Sequence, residues 1–162
     1  MSANGLDVFD KTLQTTHIWL DEIMDEIGPD RQVAWKVLTV VLHRLRNRLP
    51  VDLSAHLGSQ LPLLVRGVYY DQFQPARQPS DCRNLEEFVE EVNEWLADTR
   101  PVDPNLAVWA VFRLLSRHLP EPQIEKVRDA LPRDIRQSWE SAVEDNAGLP
   151  RDRDDDRPGA GA

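Results

Sequence analysis

Cysteine is all but missing from this chain: Cys82 stands alone. One thiol cannot close an intramolecular disulfide, and it rules out any zinc site built on paired cysteines. Long apolar runs are also missing, and nothing approaches the roughly 20 residues that span a bilayer as a helix. Met1 to Asp10 holds neither a basic start nor an extended apolar stretch, so no secretory signal is expected. Lysine is scarce, 3 against 16 arginines, and Asp and Glu together outnumber both basic types, 28 to 19. The net charge of −9 works against nonspecific binding to nucleic acid or anionic membranes. Walker loops and dinucleotide-binding glycine motifs do not occur. The arginine bias reads first as a GC-rich genome, and the sum of these absences predicts a cytoplasmic, bacterial protein.

What is present is a pattern stated twice. Leu49-Pro50 and Leu61-Pro62 recur as Leu119-Pro120 and Leu131-Pro132, each 70 residues on. With that shift held, Val41 falls on Val111, Leu45 on Leu115, Val65 on Ile135, Arg66 on Arg136, and Tyr69 on Trp139. Upstream the register slips by six, so that Trp19-Leu20 answers Trp95-Leu96. Self-similarity over so long a period predicts a duplicated half-domain. The chain is long enough for one domain with a real core, and 41% hydrophobic residues with five tryptophans exclude global disorder.

The periodicity predicts helices throughout. Phe9, Leu13, Leu20, Ile23, Met24 and Ile27 recur at helical spacing over Asp7 to Ile27, and Gly28-Pro29 ends that helix. Asp30 is placed to cap a second, nearly all-apolar helix over 30–49. Proline suits a first helical turn and disfavours helix just before it, so each Leu-Pro step ends one helix and begins another. This places short helices over 52–60 and 62–73, a hinge over 74–83, and then helices over 85–97, from Pro104, over 121–130 and over 132–143. The expectation is one all-α domain over 1–145, an orthogonal bundle of about eight helices in two homologous four-helix halves (6–73 and 84–143). The second and sixth helices, the most apolar, should pack at its centre. A disordered tail is expected over 146–162, on the strength of Arg151-Asp152-Arg153-Asp154-Asp155-Asp156-Arg157 and Pro158-Gly159.

Several of these segments carry a family likeness. They are Thr16-His17-Ile18-Trp19-Leu20, Val41 through Pro50, Gln60-Leu61-Pro62, Val65-Arg66-Gly67-Val68-Tyr69-Tyr70, Val111-Phe112 through His118-Leu119, and Leu131 through Ile135. Together they make Phe9 to Trp139 resemble the bacterial domain-of-unknown-function family 2267. The resemblance implies an all-α orthogonal bundle. It brings no established activity, cofactor or catalytic residue.

Candidate chemistry is sparse. His17, Asp21 and Asp25 lie four residues apart on one helix face, where imidazole and carboxylate can bind a divalent metal. The Glu-x-x-His pairs of dinuclear bundles are missing, and the spacing reads first as an exposed acidic face opposite the apolar stripe. Arg44, Arg46 and Arg48 form a cluster able to hold phosphate or carboxylate, or simply to offset the dipole at a helix end. Tyr70 and Phe73 end a helix beside the hinge and are candidates for an interaction surface. No catalytic set converges: Cys82 has no histidine within ten residues, and Ser54, Ser59, Ser116 and Ser138 sit in no nucleophile motif. His17, His43, His56 and His118 do not align under the repeat, and no haem ligand stands out. The resulting expectation is a non-enzymatic interaction or structural module without cofactor, bound to an unidentified protein or to itself, with no nucleic acid or membrane partner. The alternative is a helical protein binding a metal or small anion.

Overall fold

Proline and glycine set the element boundaries of the computed structural model, which describes residues 6–147. The described residues form eight α-helices and no strand. They are α1 (Asp7–Ile27), α2 (Arg31–Arg48), α3 (Val51–Ser59), α4 (Leu63–Tyr70), α5 (Leu85–Trp95), α6 (Pro104–His118), α7 (Glu121–Asp129) and α8 (Arg133–Ala147), with one 3-10 turn, Pro75–Arg77. Gly28 stops α1 at φ 117°, a left-handed conformation that costs glycine nothing. Asp30 caps α2 by accepting from the Gln32 and Val33 amides, both at 3.1 Å. Asn84 and Asp103 cap α5 and α6 in the same way.

The prolines of the Leu-Pro steps sit just before their helices rather than inside them. The Pro50, Pro62, Pro120 and Pro132 carbonyls accept from the amides of Ser54, Arg66, Ile124 and Arg136 at 2.8–3.2 Å. Proline brings no N–H of its own to that end, so each step opens a helix with one orphan donor fewer. Helix starts in the two parts of the chain keep the sequence offset: Val51 answers Glu121, and Leu63 answers Arg133. Leu49 and Leu119, Leu57 and Val127, Leu61 and Leu131, Val65 and Ile135, and Tyr69 and Trp139 are all buried.

The core forms where α2 and α6 meet, with α1 lying against both and α5 also touching both. Val37, Leu38, Val41, Leu42 and Leu45 of α2 are sealed from solvent with Val108, Val111, Phe112 and Leu115 of α6. Phe112 stacks on Trp139 of α8 at 4.2 Å between ring centroids.

Four expectations shift. Helix α4 ends at Tyr70 and α5 at Trp95, each earlier than its apolar pattern implied. Helix α8 runs on to Ala147, and the rest of the expected tail, 148–162, lies outside the described residues. Phe9 and Leu13 share the spacing of buried Leu20 and Ile23 yet are exposed. At about 1.5 Å per residue, α1 is roughly 30 Å long. Burial on it begins at Thr16, and its first half meets α4, whose Leu64 amide donates to Thr12 Oγ1 at 3.1 Å. Trp19 and Trp95, matched in sequence, also part company: Trp19 is 2% exposed and Trp95 51%.

Candidate functional site

The C-terminal half of α2 carries His43, Arg44, Arg46, Asn47 and Arg48 on the side that faces the 71–83 segment and α5. Arg46 is buried by its neighbours and fixes that segment. Its Nη1 donates to the Tyr69 carbonyl at 2.7 Å and the Asp71 carbonyl at 2.8 Å, and its Nε to Asn47 Oδ1 at 2.9 Å. The guanidinium also lies over the Phe73 ring at 5.3 Å. Arg48 Nε donates to the Cys82 carbonyl at 2.7 Å, and the Ser80 amide donates to the Asn47 carbonyl at the same distance. Gln78, before a cis proline bond, donates to the Arg46 carbonyl and to Ser54 Oγ. Two of the three clustered arginines are therefore engaged in holding backbone.

Arg44 is not. Its guanidinium lies 4.9 Å from the centroid of the Trp95 ring, and its Nε is buried without a hydrogen-bond partner. Burial pushes its pKa below the ordinary arginine value, and Glu91 offsets this only in part. A cation so placed is partly desolvated and only partly neutralised.

Between α2, the 71–83 segment and Trp95 lies a cavity of about 410 Å³. His43, Arg44, Arg46 and Asn47 form one side, Gln72, Gln74, Arg77, Gln78 and Ser80 another, and Trp95 a third. Three arginines and four side-chain amide groups line it. No carboxylate does. Gln72 on its wall has φ 58°, a conformation that costs a non-glycine residue about 1 kcal/mol or more. His43 Nε2 is 2.7 Å from the Val68 carbonyl, which assigns the proton of the neutral ring to Nε2. Burial holds the His43 pKa below its ordinary value, helped by Arg46 and Arg44 and opposed by the Val68 bond and Asp71.

A second cavity of about 440 Å³ uses another side of α5 and is acidic, lined by Glu87, Glu90, Glu91, Glu94 and Asp81 with Cys82 and Arg83. Burial, with Glu91 nearby, raises the Cys82 thiol to about 11, so it is neither a thiolate nor a ready nucleophile near neutral pH. Burial likewise raises Glu91, which Arg44 pulls back down.

The other residues singled out from sequence are placed as follows. His17, Asp21 and Asp25 are exposed on α1, and Asp21 pairs with Arg31 at 3.2 Å. Among the described residues no group of three His, Cys, Asp or Glu side chains is disposed to hold a metal. Tyr70 and Phe73 are half-buried and meet edge to face at 5.7 Å, and the Tyr70 hydroxyl donates to the Ala55 carbonyl at 3.2 Å. Ser54 and Ser59 hydroxyls donate to backbone carbonyls, whereas those of Ser116 and Ser138 accept from the indoles of Trp139 and Trp109. Trp95 escaped sequence reasoning. The signal was available: Phe88, Val92 and Leu96 recur every four residues as the buried stripe of α5, and Trp95 sits at its edge.

Residues 16–138 match the family described as "Uncharacterized conserved protein (DUF2267)", so the match takes in α2, the 71–83 segment and α5, and with them the whole cavity. The chain belongs to this family. No curated protein matches the chain. No helix among its described residues is long and apolar enough to cross a membrane.

Proposed function

We propose that this protein is a non-enzymatic binder of a small anion, held in the cavity by Arg44 and Arg77 with amide groups around it. One observation carries the reading: three arginines line a cavity from which carboxylates are absent, inside a molecule whose net charge is −9. Glu91 offsets the Arg44 charge only in part, so an anion taken into the cavity would complete its pairing. The division of labour among the arginines agrees, since Arg46 and Arg48 bind backbone and leave Arg44 free. The strained Gln72 supports it as well, because strain is stored where a side chain is used. The absence of catalysis is part of this reading, supported by the suppressed Cys82 thiol and by serine hydroxyls committed elsewhere. So is a duplicated two-half architecture, supported by the shared 70-residue offset of helix starts and buried residues. A cytoplasmic setting is favoured by the lone buried thiol.

The test is isothermal titration at low ionic strength with inorganic phosphate, acetate and benzoate, on the wild type and on Arg44→Ala and Arg77→Ala. At least one anion is expected to bind, and each substitution is expected to weaken it about tenfold or more, as for loss of a charged hydrogen bond. Arg77 is exposed, so its loss leaves the fold intact. Binding that ignores both substitutions, or no binding at all, sinks the proposal. The search would then turn to the exposed apolar residues Val8, Phe9, Leu13, Leu63 and Leu64 as a surface for a protein partner or a second copy.

A further inference from the structure

The protein's five tryptophans are not used alike. Trp139 is fully buried, Trp19 nearly so, and Trp35 and Trp109 are half-buried. Trp95 alone is exposed, and it forms a wall of the cationic cavity. Leaving half of an indole in water forgoes burial of its apolar surface, and buried Phe88, Val92 and Leu96 show that core lay within reach of this end of α5.

The contact between Arg44 and Trp95 adds a second constraint. A guanidinium over an aromatic ring keeps its in-plane N–H edge free for an oxyanion. Because Arg44 Nε is shielded, that edge is the Nη side. The indole thus orients the cation and still presents open aromatic surface beside it. The cavity, about 410 Å³, falls within the size range of small organic ligands and is far roomier than phosphate or acetate needs. Its remaining walls are His43, Arg46, four amides and a hydroxyl, which suit polar ring substituents better than an aliphatic chain.

Resting on the anion-binding reading above, we propose that the ligand is a flat aromatic acid, its ring laid on the exposed indole of Trp95 and its oxyanion on Arg44 and Arg77. Carboxylate and phosphate share the required chemistry. Two rings with different acids, benzoate and phenyl phosphate, tell them apart.

The experiment compares benzoate with cyclohexanecarboxylate, which has similar size and charge but no π face, and phenyl phosphate with inorganic phosphate. Titration calorimetry gives affinities, and tryptophan fluorescence reports on Trp95. Each aromatic member of a pair is expected to bind about three- to tenfold more tightly, the range that ring stacking supplies. Trp95→Leu should erase that preference together with the fluorescence change, and Trp95→Phe should restore part of the preference. Equal affinities within both pairs, or a preference that survives Trp95→Leu, overturns the aromatic assignment and leaves the anion site standing. If nothing binds in either pair, both readings fall. A melting curve for each variant guards against a folding defect, and the exposed position of Trp95 makes one unexpected.

Discussion

His43 shows what burial among arginines does to one side chain. Desolvation lowers its pKa from 6.5, and Arg46 and Arg44 add to the effect. The unfolded chain therefore takes up a proton near pH 6.5 that the folded ring resists, so this contribution to stability is whole above pH 6.5 and is lost as pH falls below it. Glu91 behaves oppositely: its pKa is raised from 4.5, and its contribution is lost as pH rises above that value. The difference between wild type and His43→Gln isolates the imidazole, because the Gln amide keeps a donor for the Val68 carbonyl. Urea unfolding at about pH 7.5 and about pH 5.5 should show wild type losing more stability on acidification than His43→Gln. Equal losses would rule out a role for this ring. At this scale the sequence was half legible. Arg44, Arg46 and Arg48 read as one cluster because they alternate along one helix. Their separate roles were hidden, since the carbonyls that claim Arg46 and Arg48 lie 23, 25 and 34 residues away.

Helix boundaries were the most legible feature of the chain, because proline acts locally. The Leu-Pro steps at Pro50, Pro62, Pro120 and Pro132 fix φ and remove a donor whatever the tertiary fold. Helix ends without such a residue, at Tyr70 and Trp95, were missed by two or three residues. Burial of a helix face was less legible still, as exposed Phe9 and Leu13 on α1 show, because it depends on where a partner stops. Helices α3 and α4 meet through a contact invisible in the sequence: a Cβ on Gly58 would collide with the Tyr70 hydroxyl. In an open helix, Gly→Ala gains about 1 kcal/mol. Here Gly58→Ala must displace the phenol that bonds Ala55, and a loss of about 1 kcal/mol is expected instead. In a Tyr70→Ala background the same change should stabilise by about 0.5–1 kcal/mol. Chemical denaturation of the four proteins reads this reversal of sign, and the same sign in both backgrounds would show that α3 and α4 do not press on each other here.

One buried cation joins three helices across the molecule. Arg113 interrupts the otherwise apolar run of α6, an oddity in the sequence that the structure explains. It pairs with Glu26 of α1 and, at 3.0 Å, with Asp145 of α8, while its Nε donates to the Ala142 carbonyl at 2.7 Å. Asp145 is open to water, whereas the Glu26 side chain is only 18% exposed. Arg113→Met should therefore cost about 3–5 kcal/mol in denaturant unfolding, and Arg113→Met with Glu26→Leu should recover most of it. A double variant as unstable as the single one would place the cost in packing instead. The contact of α2 with α6 was expected from their apolar content. The tie between α1, α6 and α8 was not, because it joins residues up to 87 positions apart. The segment from Asp71 to Cys82 is likewise fastened at several points to α2, the helix that also carries Arg44. Fastened this way, the wall of the cavity is set when the chain folds, so an arriving ligand meets a mould already cast and gives up little of its affinity to ordering the backbone.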